Sequence, residues 1–109
     1  MSYFPQTYGT VSTLNSYATT LSASVTWTGS WEDVSGNASI SILATASYGL
    51  TIYGEFSTDA NNIDRSVQLS DGSSGNVGNH SLIPIAKYFR VRLVNGSSLQ
   101  TGLRLQTLY

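Results

Sequence analysis

The chain has 109 residues, enough for one domain with its own core, and a net charge of −1 at pH 7. Only 10% of its residues are charged, and it has no cysteine, which excludes disulfides and thiolate metal sites. No segment approaches the roughly 20 apolar residues of a transmembrane helix, and the first basic residue is Arg65. Because a secretory signal begins with basic residues, we expect a soluble protein made in the cytoplasm, with no membrane partner.

Residues 1–22 are predicted to form an extended N-terminal arm. They carry no charge and show no sustained period. They hold four of the twelve aromatic residues of the chain, namely Tyr3, Phe4, Tyr8 and Tyr17. Because frayed termini are usually charged and poor in aromatic residues, we favour an arm that buries these rings on a neighbouring subunit over a frayed tail. The arm has no Lys or Arg, so it is not expected to bind nucleic acid.

Residues 23–109 are predicted to form one β-sandwich domain. Side chains alternate between apolar and polar with period two in residues 23–29, 38–47 and 50–56, which is typical of half-buried strands. Gly54 falls on the apolar face of the third of these strands. It indicates either a bulge or a place where a large facing side chain needs room. Glu55, beside it, is predicted to point outward.

Further strands are predicted at residues 66–69 and 80–85, followed by a hairpin of residues 87–94 and 103–106. Pro84 favours an edge position for its strand, because proline cannot donate a hydrogen bond to a neighbour. The fold class is therefore all-β: an antiparallel, jelly-roll-like β-sandwich of seven strands, or eight if the arm supplies one. The predicted core consists of Val25, Trp27, Ile40, Ile42, Ile52, Phe56, Phe89, Val91, Leu93, Leu103 and Leu105.

Charge is distributed unevenly along the chain. Residues 87–109 carry a net +4, against −5 in residues 1–86. If residues 87–106 form a hairpin, Arg90, Arg92 and Arg104 share one face, where like charges cost stability. Two interpretations stay open: carboxylates of the same subunit pair with this patch, or the patch contacts a second copy or an acidic neighbour. One small basic patch on an acidic protein does not favour nucleic acid.

The chemistry of an enzyme is not evident in the sequence. His80 is the only histidine, which excludes a usual zinc site, and no serine lies in a Gly-x-Ser-x-Gly turn. Glu32 and Glu55 are more simply counter-charges for the arginines than a hydrolytic pair. The loop that contains Asp59, Asn61 and Asp64 has several side-chain oxygens that a calcium ion could bind. Their spacing does not match a calcium-binding loop, so we interpret the loop as a polar turn. We therefore expect no catalytic residues, no metal and no cofactor.

The two tryptophans have different expected roles. Trp27 shares a face with Val25, so we expect it in the core. Trp31 lies in a turn-rich connection, and two roles stay open for it. It caps the end of the sandwich, or it is exposed and stacks against a sugar ring.

Five segments carry a resemblance to a known protein class. The chain resembles a β-sandwich module that recurs in virion proteins of tailed bacteriophages, over roughly residues 23–109. The segments are WTGSWEDVS at 27–35, SISI at 39–42, GEFSTD at 54–59, YFRVR at 88–92 and LRLQT at 103–107.

The resemblance implies a non-enzymatic virion protein, most specifically a capsid decoration (cement) subunit that stabilises the phage head. It implies a homo-oligomer, with a trimer favoured, and the major capsid protein as partner. The expected subunit-interface residues are Tyr3, Phe4, Tyr8, Tyr17, Arg90, Arg92 and Arg104. The alternative is a carbohydrate-binding or receptor-binding module of a tail fibre or baseplate, with Trp31 as the glycan contact.

Overall fold

A computed structural model describes residues 9–71 and 78–109 of the chain. This part of the chain contains nine β-strands and no helix, which confirms the all-β class. The strands are β1 (Val11–Tyr17), β2 (Thr26–Thr28), β3 (Glu32–Asp33), β4 (Ile40–Thr45), β5 (Leu50–Ser57), β6 (Arg65–Asp71), β7 (Gly78–Leu82), β8 (Tyr88–Asn95) and β9 (Arg104–Leu108).

The strands form two antiparallel sheets, as predicted. One has four strands in the order β1-β9-β4-β7, and the other has five, in the order β2-β8-β5-β6 with β3 also paired to β8. Strands β2 and β3 pair with successive parts of β8, so they act as one interrupted strand. The nine strands therefore occupy eight strand positions, four in each sheet. Apart from the β5–β6 step and the interrupted β2–β3 pair, consecutive strands lie in different sheets, so the chain crosses repeatedly from one sheet to the other.

The core lies between the sheets. Nine of the eleven predicted core residues are buried there, for example Ile40, Phe89 and Val91, each with 0% of its surface exposed. Trp27 packs only partly against the core. Val25 is 42% exposed, so its predicted core position is wrong. The reason is a turn before β2, in which Ser24 has a φ of 60°, so that the extended alternation does not begin until residue 26.

Strand β1 includes residues that composition assigns to an arm. Val11 pairs with Leu108 and Ser12 with Thr107, so residues 11–17 lie within the four-stranded sheet. The sequence left open whether the arm supplies an eighth strand, because the buried side chains of β1 are polar, Ser12 and Asn15, and lie three residues apart around a register shift. The predicted arm residues Tyr3, Phe4 and Tyr8 lie outside the described residues.

The predicted hairpin between β8 and β9 is not formed. The two strands lie in different sheets, and residues 96–103 pass from one sheet to the other. Buried amides hold this connection in place: Gln100 Nε2 donates to Asn95 Oδ1 at 3.1 Å, and Asn95 Nδ2 donates to the Leu21 carbonyl at 3.0 Å. Arg104 is therefore on the opposite outer face from Arg90 and Arg92. Alternation predicts which side chains face inward, but not which sheet a strand joins.

Two smaller predictions concern β5 and β7. Strand β7 lies at the end of its sheet, as an edge strand should, although it ends at Leu82 and Pro84 lies in the following connection. A Cβ atom on Gly54 would lie 3.0 Å from both Leu82 Cδ1 and Phe89 Cε1. Glycine at this position therefore gives room to facing side chains, the second of the two alternatives.

A matched pair of valines tests the assignment of the core. Val91→Ala should lower the free energy of unfolding by roughly 1–3 kcal/mol, because it removes two methyl groups from a fully buried position. Val25→Ala, at an exposed position, should change it by less than about 0.5 kcal/mol. Urea denaturation of both variants measures the difference. Equal losses would contradict the burial pattern.

Candidate functional site

An ion cluster lies on the outer face of the five-stranded sheet. Glu55 is only 1% exposed, and each of its carboxylate oxygens accepts a hydrogen bond from an arginine. Arg90 Nε donates to Oε1 at 2.8 Å, and Arg92 Nε donates to Oε2 at 3.0 Å. The sequence therefore predicted this counter-charge correctly. The outward direction of Glu55 is also correct, but the two arginines cover it.

Strand register explains why these residues meet. Glu55 on β5 lies directly opposite Arg90 on β8, and Tyr53 lies opposite Arg92. Arg90 and Arg92 are two residues apart on one strand, so their side chains project from the same face. One carboxylate can then reach both guanidinium groups.

Aromatic rings flank the two arginines. The Arg90 guanidinium carbon lies 4.2 Å from the ring centroid of Trp31, and that of Arg92 lies 4.1 Å from the ring centroid of Tyr53. These are cation–π distances. We call these five residues, Trp31, Tyr53, Glu55, Arg90 and Arg92, the arginine–aromatic cluster. The half-buried Trp31 ring, packed against Arg90, decides neither for the capping role nor for the sugar-stacking role that the sequence left open.

The cluster retains unused hydrogen-bonding capacity. Within residues 9–71 and 78–109, the hydrogen bonds of Arg90 and Arg92 are made through Nε, and none is made by the terminal guanidinium nitrogens. The two side chains are 22% and 30% exposed. With two positive charges and one negative charge, the cluster carries a net +1. It can therefore receive an anionic oxygen from solvent.

Arg104 and Tyr17, the other predicted interface residues within the described part of the chain, lie elsewhere. Arg104 is exposed on the outer face of the four-stranded sheet, beside Leu43 and Thr45. Tyr17 packs within the subunit, where its ring centroid lies 5.0 Å from that of Trp27 and its hydroxyl donates to the Thr20 carbonyl. Of the four assigned interface residues that the structure describes, it therefore brings together Arg90 and Arg92.

Glu32, the second predicted counter-charge, does not pair with an arginine. Its Oε1 accepts hydrogen bonds from Asn15 Nδ2 at 2.7 Å, from the Tyr109 hydroxyl at 2.6 Å, and from the Ser12 hydroxyl. Strand β3 carries Glu32 to the end of the sandwich where β1 and the last residue of the chain meet. Nothing in the sequence links these distant polar residues, so pattern analysis did not predict the network.

Asn15 extends this network to the other sheet. Its Oδ1 accepts a hydrogen bond from the backbone N–H of Val91 at 2.8 Å, and its Nδ2 donates to the Ser30 carbonyl at 2.9 Å. A Cβ atom on Gly29 would lie 2.1 Å from Asn15 Oδ1, so the approach requires glycine. The polar cluster is thus a joint between the sheets.

The loop after β5 uses its carboxylates internally. Asp59 Oδ1 accepts hydrogen bonds from the backbone N–H groups of Asn61 and Asn62, both at 2.9 Å. The backbone donors of Asn62 and then Asn61 hold the pKa of the Asp59 carboxyl well below its usual range. Asp64 Oδ2 accepts hydrogen bonds from Thr58. These contacts describe a polar turn, the interpretation that the sequence favours.

Metal-binding clusters and membrane-spanning helices are absent from the described part of the chain. No group of three or more His, Cys, Asp or Glu side chains is placed to hold a metal ion in residues 9–71 and 78–109. Over the same ranges, no helix is long and apolar enough to cross a membrane. His80 lies on β7 opposite Ile42.

Fold and site together define an antiparallel two-sheet β-sandwich that displays an arginine–aromatic cluster on one outer face. The chain belongs to the family described as the Uncharacterised protein YqxG N-terminal domain, whose sequence model matches residues 6–109. Its fold is similar to that of the PBSX exported protein XepA, a crystal structure, with a TM-score of 0.69 and 21% sequence identity. This match covers 92% of the chain and 36% of XepA, so the chain spans about a third of XepA. No curated protein matches the chain.

We expect the buried carboxylate of Glu55 to contribute to the free energy of unfolding. Glu55→Gln leaves two guanidinium groups against a neutral amide, one of whose edges is itself a donor. We expect a loss of roughly 1–3 kcal/mol in the free energy of unfolding, less than for a fully buried pair because the arginines are partly exposed. Asp33→Asn is the matched control, since Asp33 lies 3.9 Å from Lys87 with both side chains about half exposed. An equal loss in the control would contradict the special role of Glu55.

Tyr109 should make stability depend on pH. Burial, and then the hydrogen bond to Glu32, raise the pKa of the Tyr109 hydroxyl above its ordinary value of 10.0. Because the raised pKa belongs to the folded state, its stabilisation is complete below about pH 10 and is lost as pH rises through the folded value. Urea denaturation should therefore show the free energy of unfolding falling above pH 10. Tyr109→Phe should remove this part of the decline and cost roughly 1 kcal/mol at pH 7.

The control for this titration is Tyr17→Phe. The Tyr17 hydroxyl donates to the Thr20 carbonyl and lies outside the Glu32 network, so this variant shows the effect of removing a tyrosine hydroxyl without disturbing that network. If Tyr109→Phe declines as steeply as the unsubstituted protein above pH 10, Tyr109 is not the titrating group.

Proposed function

We propose that the chain is a non-enzymatic structural module of a bacteriophage particle, and specifically a capsid decoration subunit. Two likenesses support the proposal: the resemblance of residues 23–109 to virion β-sandwich modules, and the fold shared with XepA. The observation that carries it is the use of carboxylates in the described part of the chain. They hold the fold together instead of converging on a reaction site.

Five of the six carboxylates of the chain have a structural contact in the part that the structure describes. Glu32 binds the polar joint, and Glu55 binds two arginines. Asp59 and Asp64 order the loop after β5, and Asp33 accepts hydrogen bonds from Ser35. A hydrolytic pair needs two carboxylates in contrasting environments with space for a substrate between them. Side chains committed to turns and ion pairs favour a scaffold over an enzyme.

Exposed apolar side chains provide candidate contact surfaces. Ile83 and Ile85, in the connection between β7 and β8, are 77% and 62% exposed. Leu43, on the outer face of the four-stranded sheet, is 48% exposed. Apolar side chains that gather on a surface are common where proteins associate. We assign these surfaces to contacts with other copies of the chain and with the major capsid protein. The phage resemblance favours a trimer for the copies.

The proposed location is the virion, after synthesis in the cytoplasm of the host. XepA is described as an exported protein. For this chain, export as a free protein is therefore a second possible route to the outside of the cell. Particles purified by density gradient from induced cells distinguish the routes. We expect the chain to comigrate with intact heads and to appear on their outer surface in electron micrographs. Recovery of the chain only as free protein in the medium would contradict the proposal.

The N-terminal segment offers a more specific test of decoration. Deleting residues 1–8 removes Tyr3, Phe4 and Tyr8 but leaves β1 in place. We expect the fold to be retained, because the described strands begin at Val11, and the affinity for capsid shells to fall. Cosedimentation of the truncated protein with shells measures the effect. Unchanged binding would show that these rings are not an attachment arm.

A longer deletion is not a suitable control for the arm. Removing residues 1–20 would also remove β1 and the buried side chain of Asn15, so loss of binding would follow from loss of the fold. A triple Tyr3→Ser, Phe4→Ser, Tyr8→Ser variant is the better control, because it keeps the chain length. It should bind as weakly as the truncated protein.

A second candidate function is a carbohydrate-binding or receptor-binding module of a tail fibre or baseplate. The observation that favours it is the position of Trp31 and Tyr53, two half-buried rings on an outer sheet face beside a net positive charge. Aromatic side chains with one end in solvent are frequent in binding surfaces. Binding to a glycan array that is lost in Trp31→Ala supports this function.

A further inference from the structure

We propose that the arginine–aromatic cluster is a binding site for an acidic sugar. The sugar ring would pack on the solvent-facing part of Trp31 or Tyr53. Its carboxylate or sulfate would accept hydrogen bonds from the terminal nitrogens of Arg90 and Arg92. The inference rests on the second candidate function, and adds to it the class of sugar and three binding residues besides Trp31.

The arginines are held ready for an anion. Glu55 binds each of them through Nε, and a ring covers one face of each guanidinium, so both side chains are fixed before a ligand arrives. A guanidinium presents its donors as a planar fork that matches a carboxylate or a sulfate. Fixing these long side chains in advance reduces the entropy that binding would otherwise cost.

The spacing of the cluster suits an extended ligand. Arg90 and Arg92 are separated by two residues of a strand, roughly 6–7 Å. The rings lie on the two sides of β8: Tyr53 is on β5, and Trp31 is in the connection between β2 and β3, which pair with the other edge of β8. Two strand spacings are roughly 10 Å. A ligand could therefore contact a ring and an arginine at the same time.

Charge favours an acidic sugar over a neutral one. The cluster has a local net charge of +1 in a chain whose net charge is −1. Its terminal guanidinium nitrogens make no hydrogen bond with the residues that the structure describes, and a neutral hydroxyl would satisfy them less strongly than an anion.

The location of the cluster favours a sugar over an acidic peptide. A peptide gains most when it adds a strand to a free sheet edge and uses backbone hydrogen bonds. Strand β8 is paired on both sides, by β2 and β3 on one and by β5 on the other. A ligand on this face can use only side chains, and the side chains present are rings and charged forks.

Isothermal titration calorimetry with the full chain tests the proposal. The acidic probes are trigalacturonic acid and a sulfated chondroitin hexasaccharide, and the neutral probe is maltotriose. We expect at least one acidic probe to bind, more weakly as salt is added, and maltotriose to bind much less. Arg92→Gln and Trp31→Ala should each weaken binding roughly tenfold. Arg104→Gln, on the opposite outer face, should leave it unchanged.

Each alternative has its own result. If neither acidic probe binds, the proposal is wrong. If maltotriose binds as tightly as the acidic probes and Arg92→Gln has no effect, the cluster binds glycans without requiring charge, and the acidic class is wrong while the second candidate function stands. If a hexaglutamate peptide binds as tightly as the sugars, the site is for an acidic protein. Thermal melting of each variant checks folding, and Trp31→Ala keeps the test decisive if Arg92→Gln does not fold.

Discussion

The side-chain amide of Asn15 is the contact on which the arrangement of the two sheets depends. It lies on β1 of the four-stranded sheet, is fully buried, and accepts the backbone N–H of Val91 in the five-stranded sheet. The Thr107 hydroxyl donates to its backbone carbonyl, so β9 is held at the same point. A buried amide that lost these partners would incur its full desolvation cost. Because its partners lie in both sheets, Asn15 fixes the position of one sheet relative to the other at this point.

Polar contacts of this kind decide how the strands are distributed, which apolar packing alone does not. Leucine, isoleucine and valine residues on any inward face could pack against one another in several ways. At the opposite end of the sandwich, Asn95 and Gln100 bond the connections on each side of them, and thereby direct β9 into the other sheet. The outer faces of the two sheets differ in their charged residues. One carries the arginine–aromatic cluster, and the other is almost uncharged apart from Arg104.

This division of roles explains what the sequence could predict. Period-two alternation identified the inward residues of β4, β5 and β8, because their buried side chains are apolar. Register then brought Glu55 to the arginines, as charge alone suggested. Strand β1 could not be predicted in the same way, since its inward residues Ser12 and Asn15 are polar and irregularly spaced. Arg104 was placed on the wrong face because alternation along a strand carries no information about sheet membership.

The arginine–aromatic cluster is difficult to explain by stability alone. Removing Glu55 from water carries a desolvation cost that its two partners must offset, and apolar residues of similar volume often stabilise such a position equally well. A purely structural ion cluster would also be expected to use most of its donors, yet the terminal nitrogens of Arg90 and Arg92 bond no described residue. Buried Glu55 fixes the two arginines without occupying their outer edges. Arginines that are held rigid, and whose outer donors bond no described residue, are arranged as in a binding site, which is why we propose a ligand for this face.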